Sequence, residues 1–274
     1  MIYSIKQFPD KKFTDKMDLT RFIKKNFDNI QKAKLIEYKN NANKAIDINT
    51  LEANFTPKIE DITSDIIEVK ALINSTNIID SHLDLHTFKT WNKSVKDNKS
   101  TYVLQEHKNA FTHVISRKGL NTNEVMNFKD FGLSDMEFTA NLSAFQIKRE
   151  ENPFMFEQYA TGKVNNHSVG MMYVRGKLEL AYYDEESEKN MEFFEKYKAQ
   201  AINPDVADDN GYFWVVSEAV KREGSAVVFG SNPITPTLEV KNYEPSNDTR
   251  KTNKNEPSND TQNEEKKYNL FIKI

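Results

Sequence analysis

The sequence predicts an α+β fold, mostly an antiparallel β-barrel decorated with helices rather than a doubly wound sheet. Two observations indicate this class. From Ile62 onward, short apolar runs rich in branched residues recur between polar turns, which is typical of strands. Stretches with helical spacing of apolar residues lie between those runs. A helical arm is expected before this body and a disordered tail after it.

Residues 1–60 are predicted to be an arm outside the catalytic body. Over Asp18–Gln31 the apolar residues recur at helical spacing, with Asp18 as the expected N-cap. The residues on that stripe are Leu19, Phe22, Ile23, Phe27 and Ile30. The asparagine-rich stretch Lys39–Asn54 has little periodicity and is interpreted as a linker. The arm carries 12 basic and 8 acidic residues, a net charge of +4.

Residues 61–240 are predicted to form the main domain, with strands in the majority. The expected strands are Ile66–Ile73, Ser100–His107, Glu137–Ile147, Ser168–Val174, Gly211–Val220 and Ser225–Gly230. The expected helices between them are Phe88–Lys99, Asn152–Thr161 and Glu185–Ile202. This segment carries 19 basic and 27 acidic residues, so an acidic body is expected to follow a basic arm.

Residues 241–274 are predicted to be a low-complexity tail. The hexapeptide EPSNDT occurs at Glu244–Thr249 and again at Glu256–Thr261, and it contains no large apolar side chain to bury. Such a segment cannot offset its ordering entropy and is expected to be disordered. The last residues, Tyr268–Ile274 (YNLFIKI), are apolar again. They fit either a docking peptide or cleavable tail, or a final strand that pairs with the body.

Composition excludes several classes of function. Cysteine is absent, which removes thiol catalysis, disulfides and cysteine-ligated zinc. The 38 basic and 41 acidic residues give a net charge of −3, which does not favour a nucleic-acid partner. Neither a signal peptide nor an apolar run long enough to span a membrane is evident. A soluble intracellular protein without a membrane partner is expected.

Two segments supply a candidate base and a candidate nucleophile. His107 ends an apolar run, so it is expected at the mouth of a strand, and imidazole is the side chain whose pKa suits general-base catalysis. Ser168 begins another strand-like run, and Gly170 after it leaves room for a substrate carbonyl. His167 is adjacent to Ser168 and is expected on the opposite face of the strand, so it is disfavoured as the base.

A serine hydrolase also needs a group that orients the imidazole, commonly a carboxylate. The candidates are Glu223 and Glu218, followed by Asp205, Asp208 and Asp209. Their spacing alone does not choose among them. The serine is not in a GxSxG elbow, because Asn166 rather than glycine stands two residues before it, so an α/β-hydrolase is disfavoured.

The order of these segments resembles the prohead maturation proteases of tailed bacteriophages, serine proteases related in fold to the herpesvirus capsid protease assemblin. The resemblance covers about residues 62–240 and rests on short motifs. These are an acidic turn and helix at Asn74–Val95, YVLQEHKN around His107, the serine, aliphatic, glycine pattern that starts at Ser168, and EGSAVVFGSNPITPT from Glu223. Leu83 stands where the acidic turn often has glycine, which is a departure from the pattern.

The resemblance implies a serine endopeptidase in which His107 is the base, Ser168 the nucleophile and Glu223 the third member of the triad. It implies no cofactor and no metal. The implied substrates are a phage scaffold protein or the delta segment of the major capsid protein, and the chain itself. The implied location is the immature head inside the bacterial host cytoplasm. Whether the protein is a homodimer is left open.

Two other functions remain as alternatives. Asp80, His82, Asp84 and His86 alternate with a period of two, so on one strand all four would face one side and could bind zinc or manganese in a metal-dependent hydrolase. The second alternative is a non-enzymatic capsid or scaffold component, in which the basic helix and the tail mediate assembly and His107 and Ser168 are structural.

Overall fold

The computed structural model describes residues 2–37, 51 and 54–244. The chain as far as Tyr243 makes up one compact unit. Most of the predicted linker, the two EPSNDT segments apart from Glu244, and the terminal YNLFIKI lie outside the described residues. The predicted domain boundaries therefore remain a prediction.

The described chain is α+β with strands in the majority. Its strands are β1 (Tyr3–Ile5), β2 (Phe8–Phe13), β3 (Lys58–Ile59), β4 (Ile66–Ser75), β5 (Asp84–His86), β6 (Ser100–Gln105), β7 (Val114–Asn127), β8 (Glu137–Lys148), β9 (His167–Tyr173), β10 (Leu178–Tyr182), β11 (Tyr212–Val216), β12 (Ala219–Ala226) and β13 (Thr237–Asn242). Its α-helices are α1 (Lys16–Glu37, which kinks at Asn26), α2 (Asn92–Asp97), α3 (Pro153–Ala160), α4 (Glu188–Lys198) and α5 (Asp205–Asn210). None of these helices combines the length and apolarity needed to cross a membrane.

Three sheets organise the strands. The largest has the order β3-β13-β4-β8-β7-β6-β12-β9, the second is β10-β11-β5, and the third is the hairpin β1-β2. Most pairs are antiparallel, whereas β12 runs parallel to β6, β13 to β3 and β11 to β5. Within the largest sheet, β12 therefore has a parallel neighbour on one side and the antiparallel β9 on the other.

The predicted barrel is not supported, because the largest sheet remains open. Its edge strands among the described residues are β3 and β9, and no backbone ladder joins them. The sheet curls enough for β9 to approach β4, yet β4 pairs only with β8 and β13 in the part of the chain described. Closure of a barrel requires a continuous ladder around the ring, and this ladder is interrupted at β9.

The N-terminal helix begins earlier than predicted and packs on the body. It starts at Lys16 rather than after Asp18, because the Asp15 carboxylate accepts a hydrogen bond of 2.6 Å from the Met17 N–H and caps the first turn. The apolar stripe predicted from the sequence is partly or fully buried in a core cluster that also contains Trp214 of β11. The helix thus contributes to the same hydrophobic core as the second sheet.

Four predicted strands, Ile66–Ile73, Ser100–His107, Glu137–Ile147 and Ser168–Val174, correspond to β4, β6, β8 and β9. The predicted strand Gly211–Val220 was wrong, because β11 ends at Val216 and β12 begins at Ala219. β7 is the longest strand, yet it was not predicted, since its sequence is mostly polar and only alternate positions such as Ile115 and Asn121 are buried. The predicted strand Ser225–Gly230 was wrong in its bounds, because β12 ends at Ala226. Val228 and Phe229 beyond that end are exposed rather than paired in the sheet.

A buried ion pair links α1 to the second sheet. Lys34 Nζ lies 2.6 Å from Asp84 Oδ1, and both side chains are only 1 % exposed. Lys34 Nζ also donates a hydrogen bond of 3.1 Å to the His82 carbonyl oxygen and lies above the rings of Tyr173 and Trp214. A charge buried to this extent is tolerated because its partner is buried with it.

Replacing Lys34 with alanine should therefore destabilise the protein strongly. The Asp84 carboxylate would lose its cation while remaining in the interior, and removal of one member of a buried pair costs about 3–5 kcal/mol. Denaturant unfolding of Lys34→Ala measures this loss. Lys25→Ala, at an exposed position of the same helix, should change the free energy of unfolding by less than about 0.5 kcal/mol. Equal effects of the two substitutions would contradict the prediction.

Candidate active site

A single open cleft contains the predicted base, nucleophile and acid. Its volume is about 1430 Å³, and its lining includes His107, Ser168 and Glu223. The three residues come from three adjacent strands of the largest sheet, because His107 follows β6, Glu223 lies on β12 and Ser168 lies on β9. The sheet order therefore brings together side chains that are far apart in the sequence.

His107 is held at a sharp turn just after β6. Both Glu106 and His107 have positive φ, at 52° and 55°, in the left-handed region that non-glycine residues rarely adopt. The Glu106 N–H donates to the Ala226 carbonyl oxygen at 2.9 Å, and the His107 N–H donates to Ser225 Oγ at 3.1 Å. Strained backbone of this kind persists only where surrounding contacts fix it, and it is frequent at functional sites.

The His107 imidazole contacts the Glu223 carboxylate directly. Nδ1 of His107 lies 2.6 Å from Glu223 Oε1, and the two side chains are 29 % and 13 % exposed. An ionised carboxylate can only accept, so Nδ1 carries the proton and donates it to this bond. In the neutral ring, the lone pair is then on Nε2, the arrangement required of a general base.

The second oxygen of that carboxylate is bound by Ser225. Ser225 Oγ donates to Glu223 Oε2 at 2.6 Å and, as noted above, accepts from the His107 main chain. Ser225 is 0 % exposed. Both oxygens of the Glu223 carboxylate therefore have a defined partner, one on the imidazole and one on β12 itself.

Ser168 lies on the strand that pairs with β12. It is opposite Ser225 in the antiparallel register, it is 8 % exposed, and it lines the cleft. Among the hydrogen bonds of the described residues, none joins Ser168 Oγ to His107. Catalytic hydrogen bonds are often long or poorly aligned in unliganded enzymes, so this geometry does not exclude the pair.

Gly170 lies directly against the Glu223 side chain. A Cβ added there would lie 2.7 Å from Glu223 Cδ and closer still to Oε1, so the absent side chain makes room for the carboxylate. Gly170 is also the register partner of Glu223 across β9 and β12. Glycine at this position therefore accommodates the Glu223 carboxylate.

The other candidate acids lie away from His107. Glu218 pairs with Lys93 at 3.3 Å, and Asp208 on α5 pairs with Lys198 at 3.0 Å. Asp205 and Asp209 belong to the same short helix. Of the five carboxylates considered from the sequence, Glu223 is the one that contacts the imidazole.

His167 is buried and makes hydrogen bonds within the protein interior. It is fully buried, with Nδ1 2.8 Å from the Thr235 carbonyl oxygen and Nε2 3.0 Å from the Tyr159 hydroxyl. Burial lowers the pKa of His167 to about 4, so the ring is neutral near pH 7. Both ring nitrogens are engaged in the interior, and His167 is not among the residues that line the cleft.

The lining of the same cleft also includes Asp80, His82, Asp84 and His86. The prediction that one strand carries all four was wrong, because only Asp84 and His86 lie on β5. Asp80 is in a turn that includes Leu83 at a φ of 57°, and its Oδ1 accepts hydrogen bonds from the N–H groups of His82 and Asp84. Leucine thus adopts here the left-handed conformation for which glycine is favoured.

These four side chains have protein partners. His82 Nδ1 lies 2.6 Å from Lys6 Nζ, Asp84 pairs with Lys34 and accepts a hydrogen bond from the Tyr173 hydroxyl, and His86 Nδ1 lies 3.4 Å from Asn74 Nδ2. Among residues 2–37, 51 and 54–244, no group of three or more His, Asp or Glu side chains is placed to hold a metal ion.

Burial is the largest single influence on the pKa of each of these four side chains. It raises the pKa of Asp80 to about 7, with a further contribution from the negative charge of Asp84. Burial also lowers the pKa of His82 to about 3 and that of His86 to about 4. Burial opposes ionisation of Asp84 as well, but the charge of Lys34 and the neighbouring hydrogen bonds outweigh it, and the Asp84 pKa lies below its usual value.

Two features of the site were missed from the sequence. Ser225 was recognised only as part of a motif, although its i, i+2 spacing from Glu223 on a strand places both side chains on one face. The buried ion pair of Lys34 with Asp84 was also missed. A lysine on a helix is normally solvated, and the sequence around Lys34 does not indicate that its side chain is buried.

Compared with protein-family models, curated proteins and solved structures, the chain has no match. The chemistry of the cleft is therefore inferred from its own residues and their geometry.

Substitution of Gly170 by alanine should displace the Glu223 carboxylate. The new Cβ would overlap it, and overpacking of this kind costs about 1–3 kcal/mol. The loss should be smaller when Gly170→Ala is made in a Glu223→Ala background, where the space is free. Denaturant unfolding of both single variants and the double variant measures the coupling. Additive effects of the two substitutions would contradict the predicted overlap.

Asp80 should make stability depend on pH. Its pKa of about 7 in the folded protein exceeds the ordinary value of 3.8, so the unfolded chain releases a proton that the folded protein retains, and stability falls as pH rises through this window. Asp80→Asn keeps an accepting oxygen but cannot ionise. Its free energy of unfolding relative to wild type should rise by about 1 kcal/mol or more from pH 5 to pH 8. A difference independent of pH, measured by urea unfolding, would refute this assignment.

Proposed function

We propose that the protein is a serine endopeptidase in which Ser168 is the nucleophile, His107 the general base and Glu223 the acid. The observation that carries the proposal is the 2.6 Å contact of His107 Nδ1 with Glu223 Oε1 in a cleft that Ser168 also lines. A base oriented by a carboxylate beside a candidate nucleophile is the arrangement by which serine hydrolases are recognised, whatever their fold.

In this mechanism His107 Nε2 takes the proton from Ser168 Oγ as the oxygen attacks a peptide carbonyl. The Glu223 carboxylate stabilises the imidazolium that forms, because it is negatively charged and accepts a hydrogen bond from the Nδ1–H group throughout. Main-chain N–H groups near the site would stabilise the oxyanion of the tetrahedral intermediate. The imidazolium then protonates the leaving amine, and water releases the acyl group from Ser168 with His107 again as base.

Ser168 is favoured over Ser225 as the nucleophile. Ser225 is completely buried, its hydroxyl is used by Glu223 and His107, and it does not line the cleft. Ser168 lines the cleft, and it is the serine of the serine, aliphatic, glycine pattern of the family that the sequence resembles. A substrate carbonyl can therefore reach Ser168 without displacing a buried group.

The dimensions of the cleft favour a polypeptide substrate. Small-molecule sites usually have volumes of about 300–1000 Å³, and this cleft is larger at about 1430 Å³. Its lining also includes the strongly exposed apolar side chains of Phe111, Val228 and Phe229. Exposed aromatic groups at a cleft are suited to contact the side chains of an extended chain.

We further propose, from the motif resemblance, that this activity is that of a prohead maturation protease. The substrates would be a phage scaffold protein, the delta segment of the major capsid protein and the chain itself, inside the immature head in the bacterial host cytoplasm. The metal-dependent alternative has less support, since no group of three or more His, Asp or Glu side chains among the described residues is placed to hold a metal ion. The non-enzymatic alternative has less support because it gives the His107–Glu223 pair only a structural role, although the pair lines an open cleft beside Ser168.

The proposal predicts that cleavage depends on both Ser168 and His107. Freshly purified wild type, Ser168→Ala and His107→Ala are incubated at neutral pH, alone and with a scaffold or capsid protein, and their intact masses are measured. Only wild type should give cleavage products, because loss of a triad residue slows acyl transfer on the order of 10⁴-fold or more. The matched controls His113→Ala and Ser116→Ala, which do not line the cleft, should cleave as wild type does.

Three results would count against the proposal. Equal cleavage by all chains would remove Ser168 and His107 from the mechanism. Cleavage that a chelator abolishes and Ser168→Ala retains would favour the metal-dependent alternative. Intact chains throughout, even within assembled proheads, would favour the non-enzymatic component.

A further inference from the structure

Ser225 connects two parts of the proposed site through one hydroxyl group. It donates to Glu223 Oε2 at 2.6 Å and accepts from the His107 N–H at 3.1 Å. We propose that Ser225 is a positioning residue, which fixes the Glu223 carboxylate and the His107 main chain relative to each other. This inference rests on the proposed function, because its consequence is the alignment of the imidazole with Ser168.

Ser225 fixes the orientation of the Glu223 carboxylate. The last torsion of a glutamate side chain is broad and has no steep minimum, so one hydrogen bond does not fix the plane of the carboxylate. Here Oε1 is bound by His107 Nδ1 and Oε2 by Ser225 Oγ. Two bonds from opposite ends define that plane, and Gly170 bounds the space on the β9 side.

Ser225 also binds the main chain of His107 at a turn. Its φ of 55° turns the chain away from the extended path, just where the parallel ladder between β6 and β12 ends at Gln105 and Ala226. The His107 N–H donates to the side-chain oxygen of Ser225 at this point. An unsatisfied N–H would add to the strain of the left-handed conformation, so the hydroxyl helps to keep the turn in place.

Ser225 is not accessible from the cleft. Ser225 is 0 % exposed and is absent from the cleft lining, so it acts through His107 and Glu223 and has no contact with a substrate. It lies two residues after Glu223 on β12, on the same face of the strand, and opposite Ser168 on β9. Its position is therefore set by the backbone ladders on both sides.

The first experiment detects the His107–Glu223 hydrogen bond by proton NMR and does not depend on catalytic activity. The Nδ1 proton of His107 should give a downfield proton NMR signal that exchanges slowly, assigned by its loss in His107→Ala and Glu223→Ala. In Ser225→Ala this signal should be absent, or its exchange with solvent should be at least about tenfold faster. A tenfold change corresponds to the loss of one hydrogen bond to a charged group. Ser75→Ala removes another fully buried serine hydroxyl, whose partner is the Ile234 carbonyl, and should leave the signal unchanged.

Ser225→Cys provides a second variant if Ser225→Ala does not fold. It retains nearly the size of serine and a weaker donor, so its exchange rate should lie between those of wild type and Ser225→Ala. A signal in Ser225→Ala or Ser225→Cys with the wild-type exchange rate would overturn the proposal. So would the absence of the signal from wild type, because the carboxylate would then not hold the imidazole.

The second experiment measures peptide cleavage. Ser225→Ala should lower kcat about tenfold with KM unchanged, since positioning of the base matters in the transition state rather than in substrate binding. An unchanged kcat would overturn the role of Ser225. The two claims can fail separately. If wild type shows the slowly exchanging signal and Ser225→Ala loses it, the hydrogen-bond arrangement is established. If wild type then cleaves no peptide, the proposed function is refuted.

Discussion

The arrangement of the site depends on the backbone ladders that join β12 to β6 and β9. The parallel ladder brings His107, at the end of β6, beside Ser225 and Glu223, and the antiparallel ladder places Ser168 opposite Ser225 and Gly170 opposite Glu223. Because adjacent strands are about 4.8 Å apart, Ser168 on β9 and Glu223 on β12 become neighbours across their ladder. His107 joins them from the turn that directly follows β6.

A second constraint is the buried ion pair of Lys34 and Asp84, which also lines the cleft. Lys34 from α1 reaches Asp84 on β5, which also accepts from Tyr173 at the end of β9. The strand of Ser168 is therefore connected through Tyr173 and Asp84 to a lysine on the N-terminal helix. Since each ion would be costly to bury alone, the helix and the second sheet are stable in this arrangement only together.

Local pattern predicted some elements well and others poorly. α3 and α4 were predicted because their apolar spacing is regular, and β4 and β8 because apolar residues recur along each of them at short intervals. β7 was missed, since its polar residues suggest a loop until its neighbours β6 and β8 are known. The alternation of Asp80 to His86 suggested a single strand, but the hydrogen bonds accepted by Asp80 fold its first half into a turn. Sheet closure depends on pairing between distant strands, which no local pattern encodes.

The sequence by itself determined the strand-rich α+β class, the absence of thiol chemistry, and the candidate base and nucleophile. All three depend on residue type and on spacing along the chain, and both can be taken directly from the sequence. Only the tertiary structure decided which of five carboxylates meets His107, why residue 170 is glycine, and that Ser225 binds both His107 and Glu223. Each of those contacts joins different strands or depends on strand register, and register is fixed by the packing of the whole sheet rather than by any one segment.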